Sequence, residues 1–286
     1  MVLYKYLKPS LIKVLENGFI RFTQPTCFND PFESLAYVRN IFDIEFVKQL
    51  FIFLSNPEFK KDIENNISDK NTKDNLIDLQ RTFKNKSKEE LKDFFRKLII
   101  GESKKDLSTE IQKYWDSQVG ILSLSETNDN LTMWSHYSEA HTGFVIGFDT
   151  NISITDVANI LIKPKKINYC SERPSITLFD IKKEKKEMMN DWIKTFLFTK
   201  GNDWLYENEW RQINILGKAD KIETKNNKNI YLFKYNRKSI VEIYFGCRMD
   251  KDIRKKILKI IRDWTVDKYN IVINKKNYKL DKIIFD

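Results

Sequence analysis

Three short segments of the chain hold most of the side chains that could do chemistry. In Glu207-Asn208-Glu209-Trp210-Arg211, two carboxylates stand two residues apart, with a guanidinium two further on. In a strand such alternate positions project to one face. Paired carboxylates repel, which raises the pKa of one of them. A pair of this kind suits stabilising a developing cation or acting as a general base, and Arg211 could order either acid. A salt-bridge ladder on an exposed strand would have the same spacing, although Trp204, Tyr206 and Trp210 make the stretch costly for a plain surface.

The second segment runs from Met133 to Phe144 and contains the only two histidines, His136 and His141. The spacing predicts a helix over 131–140. On it Trp134, Tyr137 and His141, three and four apart, share a face, while His136 points elsewhere. Tyr137 and His141 are therefore the candidates to look into a site. The alternative is an aromatic helix face packed in the core, with His141 bonded to backbone. Histidines at i and i+5 do not converge on one ion, so no metal is expected there. The third segment, Asn29-Asp30-Pro31-Phe32-Glu33, is strong turn chemistry after a strand. It sets Asp30 and Glu33 in a loop at a strand end, where site residues are common; a capped turn is the other reading. No phosphate-binding glycine loop, nucleophile elbow, HExxH or kinase signature is present.

The elements that must position these segments read as an α+β order. Strands are expected at 3–7, 19–23, 119–125, 144–148, 240–246, 269–273 and 283–285. A short helix opens at Pro9-Ser10 and stops at Asn17-Gly18. Residues 180–200 and 252–264 read as amphipathic helices. Segments 209–215 and 230–235 flank a polar loop and suggest a hairpin. Residues 41–117 read as a charged helical insertion in a single domain spanning 1–286. Within it Ser87-Lys88-Glu89-Glu90 fits a capping box, and Leu91, Phe94, Phe95, Leu98 and Ile99 keep helical spacing.

The 286 residues can bury a full core without disulfides or metals. Cys27, Cys170 and Cys247 are widely spaced and odd in number, which argues against a disulfide framework or a zinc site. The start of the chain lacks the apolar core of a signal peptide. No apolar run approaches the ~20 residues of a membrane span. The expectation is a cytoplasmic protein with no membrane contact. The net charge of +10 is interspersed with Asp and Glu; it reads mainly as a solvated surface, with nucleic acid as a second possibility.

Taken together, the segments resemble a bacterial family catalogued as a domain of unknown function. The residues carrying the likeness are Tyr4-Lys5-Tyr6, Phe28 to Glu33, Ser125, Met133 to Tyr137, His141, Gly143, Phe148-Asp149, Trp204, Tyr206-Glu207, Glu209 to Arg211 and Ile243 to Gly246. It spans most of the chain outside the helical insertion. Members of that family are often associated with defence against phage, which implies a defence-system partner or an antitoxin.

The order of elements is also similar to ADP-ribosyltransferases of the DNA-targeting toxin type. Lys5 stands where those enzymes carry His or Arg, Ser123 and Ser125 with Tyr137 fill the middle position, and Glu207-Asn208-Glu209 matches their late Glu-x-Glu. This resemblance implies a mixed or antiparallel sheet core of that fold and NAD as substrate. Glu209, or else Glu207, would be the catalytic carboxylate, with Tyr137 and His141 beside it. Tyr137 or Trp134 would stack on nicotinamide, and Lys5 or Arg21 would hold the pyrophosphate. Tyr6, Asn29, Asp30, Glu33, Ser125 and Arg211 complete the expected ligand-facing set, and the target would be nucleic acid or protein. Two rival readings are a nucleic-acid-binding module without chemistry and a nuclease holding a divalent cation on Asp30, Glu33, Glu207 and Glu209.

Overall fold

Five consecutive buried residues, Phe144 to Phe148, mark a strand covered on both faces. In the computed structural model this strand lies near the middle of an eight-stranded sheet. The structure describes residues 1–42, 107–179 and 184–285, together with Asn65, Lys70, Asp74, Ile77, Arg81, Ser87 and Glu90. Strands are numbered along the chain: β1 Val2–Leu7, β2 Phe19–Phe22, β3 Tyr37–Phe42, β4 Val119–Ser125, β5 Phe144–Asp149, β6 Ile160–Lys166, β7 Asn168–Cys170, β8 Ser175–Phe179, β9 Thr199–Gly201, β10 Glu209–Ile215, β11 Lys221–Lys225, β12 Lys228–Lys234, β13 Ile240–Phe245, β14 Asp267–Ile273 and β15 Leu280–Ile284. The described α-helices are α1 Lys13–Asn17, α2 Leu107–Gln118, α3 Leu131–Tyr137, α4 Lys185–Leu197 and α5 Lys251–Ile260.

The large sheet has the order β15-β14-β13-β5-β1-β4-β10-β6. Its pairs are antiparallel except β13 with β14, which α5 joins as a crossover, so the sheet is mixed. Alternation assigns the two faces. Leu3, Leu7, Phe144, Ile146, Phe148, Ile243 and Phe245 enter one buried cluster with Ile257 and Ile261. Tyr6, Val145 and Tyr244 enter a second cluster with Met133 and Trp134. Asp250 caps α5 by accepting from the backbone N–H groups of Asp252 and Ile253.

The chain divides into two compact units. One comprises Met1–Ser34, Ile111–Glu172 and Phe198–Asp286, the other Leu35–Glu110 and Arg173–Leu197. In the second unit β3 runs parallel to β8, and Arg173 donates to the Leu35 carbonyl. Most of the expected insertion at 41–117 lies outside the described residues, as do Leu91, Phe94, Phe95, Leu98 and Ile99. The Ser87 capping box forms as expected: the Ser87 N–H donates to Glu90 Oε2 at 2.7 Å, and the Glu90 N–H to Ser87 Oγ at 3.2 Å.

Three expectations are corrected. The hairpin lies inside the polar loop: β11 pairs with β12 through Asn226 and Asn227, both with positive φ, while β10 joins the large sheet between β4 and β6. The helix expected to reach Ala140 ends at Tyr137, because Glu139, Ala140 and His141 all adopt left-handed φ. Thr199 and Lys200, expected to close the helix, instead form β9 with Gly201, which pairs in parallel with β7; residues 180–183 lie outside the described set. Among the described residues no helix is long and apolar enough to cross a membrane, and the three cysteines are free thiols.

Candidate active site

Glu207 and Glu209 converge, but not by alternation along a strand. Glu207 ends a 3-10 turn over Asn202–Glu207, Asn208 takes a left-handed conformation at φ 42°, and Glu209 opens β10. That reversal brings both acids onto one ammonium. Lys200 Nζ, from β9, donates to Glu207 Oε2 at 2.6 Å and to Glu209 Oε2 at 3.2 Å. The pairing of Tyr169 with Lys200 fixes the height of β9. The Tyr169 hydroxyl also accepts from the Glu209 N–H at 2.8 Å, locking the start of β10.

A second cation extends the chain of charges. Arg211, fully buried, donates from Nε to Glu209 Oε1 at 2.8 Å. Its two terminal nitrogens grip Glu33 at 2.7 and 2.8 Å in the bidentate geometry that suits guanidinium and carboxylate. Glu33 reaches it from the loop after β2. There Asp30 accepts from the Phe32 N–H at 2.9 Å, and Gln112 of α2 donates to the Glu33 carbonyl at 2.6 Å. At the other end Tyr137 donates to Glu207 Oε1 at 2.5 Å, and Asn29 donates to the Tyr137 hydroxyl at 3.2 Å. Glu33, Arg211, Glu209, Lys200, Glu207, Tyr137 and Asn29 thus form one continuous network, in which the Glu33–Arg211 bond joins residues 178 positions apart.

The electrostatics separate the two central acids. Burial disfavours the Glu209 carboxylate, but Arg211 and Lys200 outweigh it and hold its pKa down at about 2. Glu207 moves the other way: burial, reinforced by the charge on Glu209, raises its pKa despite Lys200. Burial also pushes Lys5 down to about 8, against the attraction of both acids; its ammonium donates to the Ser123 carbonyl at 2.9 Å. Burial and the neighbouring Glu207 raise the Tyr137 phenol, keeping it a proton donor to that acid.

Seven of the expected residues, Lys5, Tyr6, Asn29, Ser123, Tyr137, Glu207 and Glu209, line a single cavity of about 90 Å³, together with Tyr4, Phe28 and Lys200. Glu33 and Arg211 stand behind it as charge partners. The other expected residues do not reach it. Trp134 is completely buried and donates from Nε1 to the Asn128 carbonyl, so it has no face for a ligand. The Ser125 hydroxyl is spent on the Glu207 carbonyl, and Asp30 on its own turn. Arg21 lies in β2 of the three-stranded β11-β12-β2 sheet, where its charge helps to lower the Lys5 pKa. His141, carried off the helix face by its left-handed backbone, lines a separate cavity with Leu131 and Cys247. Among the described residues no group of three His, Cys, Asp or Glu is arranged to hold a metal ion. Sequence reasoning missed Lys200; the signal was that Arg211 alone cannot compensate three buried acids.

Fold and site define a mixed α/β protein built around a buried relay of alternating acids and cations at the edge of a small aromatic cavity. Residues 133–212, which carry Tyr137, Lys200, Glu207, Glu209 and Arg211, match the model of a family described as Protein of unknown function (DUF2971), and this segment is similar to that domain-of-unknown-function family. No curated protein and no solved structure matches the chain.

Proposed function

We propose that the cavity is the reaction centre of an ADP-ribosyltransferase-like enzyme that uses NAD as substrate and modifies a nucleic acid or a protein. The observation that carries this reading is the pair of carboxylates sharing Lys200 while their ionisation is driven in opposite directions. Two acids of unlike pKa supply the two roles that glycosyl transfer asks for. Held ionised, Glu209 offsets positive charge developing on a ribose. The more basic Glu207 takes the proton that the attacking acceptor group gives up. NAD supplies an ADP-ribosyl group as the bond from its ribose carbon to the nicotinamide nitrogen breaks, the electron pair leaving with the nicotinamide. Tyr137 and Asn29 hold Glu207 in place, and Tyr4 and Phe28 offer aromatic walls for a ring. The cavity, at about 90 Å³, is below the roughly 300–1,000 Å³ of pockets for whole drug-sized ligands. It therefore suits the ring of NAD alone, with the rest of the dinucleotide outside it.

The test is incubation of the purified chain with NAD labelled on its adenylate, with and without DNA, RNA and cell lysate. Nicotinamide release or label transfer is expected. It should fall by about a hundredfold or more in Glu207→Gln, in line with loss of general-base catalysis, while the thermal melt stays intact. Because burial raises the Glu207 pKa, the acid limb of the rate profile should lie above the ordinary carboxylate range. Turnover unchanged in Glu207→Gln would remove its role. Absence of NAD binding and turnover under every condition would favour the binding-module reading.

A further inference from the structure

A second cavity, of about 420 Å³, shares no lining residue with the acid relay; it is lined by the turn between β14 and β15 and by Leu131, His141, Cys247 and Arg248. We propose that it binds the phosphate and base of a nucleotide, either free or within a single-stranded nucleic acid. Its volume falls inside the roughly 300–1,000 Å³ range of small-molecule sites. Arg248, Lys275, Lys276 and Lys279 all line it. Lys279 is paired with Asp281 at 3.4 Å, whereas Arg248, Lys275 and Lys276 form no ion pair among the described residues. Three uncompensated cations around one cavity favour a phosphate over a neutral ligand.

The turn that carries the lysines is preorganised. Asn274 accepts from the N–H groups of Lys276 and Asn277 at 2.8 and 2.7 Å, and donates to Asp281 at 2.6 Å. An ordered turn lowers the entropy lost when a ligand is gripped. The Tyr278 ring, at the cavity, is completely exposed to water, and Ile273, which also lines the cavity, is exposed. A flat base laid on that ring would remove its face from solvent, as in single-strand binding surfaces.

The experiment is calorimetric titration of the full chain with AMP, adenosine, inorganic phosphate and a twelve-nucleotide oligothymidylate. AMP, the oligonucleotide or both should bind, and adenosine and phosphate should each bind about tenfold or more weakly, since each lacks one half of the recognised group. Tighter binding of the oligonucleotide identifies a polymer site; binding of AMP alone identifies a free nucleotide. R248E/K276E should weaken binding by about tenfold or more, as should Tyr278→Ala, with melting temperatures unchanged because these side chains are exposed. Glu207→Gln should titrate like the unaltered protein, which separates this site from the proposed reaction centre. The proposal is overturned by binding that R248E/K276E leaves unchanged, by adenosine or phosphate matching AMP, by loss of binding in Glu207→Gln, or by no binding of AMP and oligonucleotide.

Discussion

Arg211 is the residue on which the relay depends most. It is fully buried and gives one guanidinium to two acids, Glu33 and Glu209. Replacing both sides of a buried ion pair with apolar groups is often neutral, but removing one side leaves an uncompensated charge away from water. Arg211→Met strips the cation from two carboxylates at once. It should lower the unfolding free energy by about 3–5 kcal/mol, read as a shift in denaturant midpoint. A loss under about 1 kcal/mol, the range of exposed pairs, would show that water reaches the cluster. Lys200 plays the same part for Glu207 and Glu209 and also lies 4.6 Å from the centre of the Trp204 ring.

At the scale of elements, the site depends on one left-handed residue. Asn208 joins the 3-10 turn ending at Glu207 to β10, and its carbonyl accepts from the Glu126 N–H at 3.1 Å. Asparagine and glycine tolerate that conformation; a β-branched residue does not. Asn208→Gly should therefore keep both fold and nicotinamide release. Asn208→Val should cost about 1–2 kcal/mol of stability and should also lower turnover, because the turn and β10 would no longer present the two acids to one ammonium. Equal turnover in the two variants would separate the turn from the chemistry. The same conformational logic explains His141. Three successive left-handed residues end α3 early, and Gly143 must follow because a Cβ there would come 2.0 Å from the Leu7 carbonyl oxygen.

For the molecule as a whole, the relay makes stability depend on acid. Glu209 has its folded pKa lowered, to about 2, from an ordinary value of 4.5. The unfolded chain therefore takes up its proton first as pH falls. The stabilisation is complete above pH 4.5 and is lost as pH descends toward 2, by about 3 kcal/mol for this group. Glu207, with its pKa raised, acts with the opposite sign and above 4.5, so the two windows do not overlap. Urea melts between pH 5 and 2.5 should show a steep acid limb that Glu209→Gln flattens. An unchanged limb in that variant would assign acid sensitivity to other groups.

Much of the framework was legible in the sequence because local pattern and burial agree there. The apolar runs of β4, β5 and β13 mark central strands, and Gly18, at φ 73°, stops α1 where the Asn-Gly pair predicts. The three candidate segments were legible for a related reason: carboxylates, arginine and tyrosines set among tryptophans are costly unless buried together. What only the tertiary structure decided was which of them meet. β3, β6, β7, β8, β9 and β11 gave no strand signal, since short, edge or exposed strands lack the alternation that marks a buried face. Yet β7 and β9 are the pair that delivers Lys200. Ion pairing carries no sequence period, so Glu33 finds Arg211 across 178 residues only once the loop after β2 is folded beside β10. Spacing placed Trp134, Tyr137 and His141 on one face. Backbone conformation and packing buried the first, kept the second at the cavity and turned the third to another.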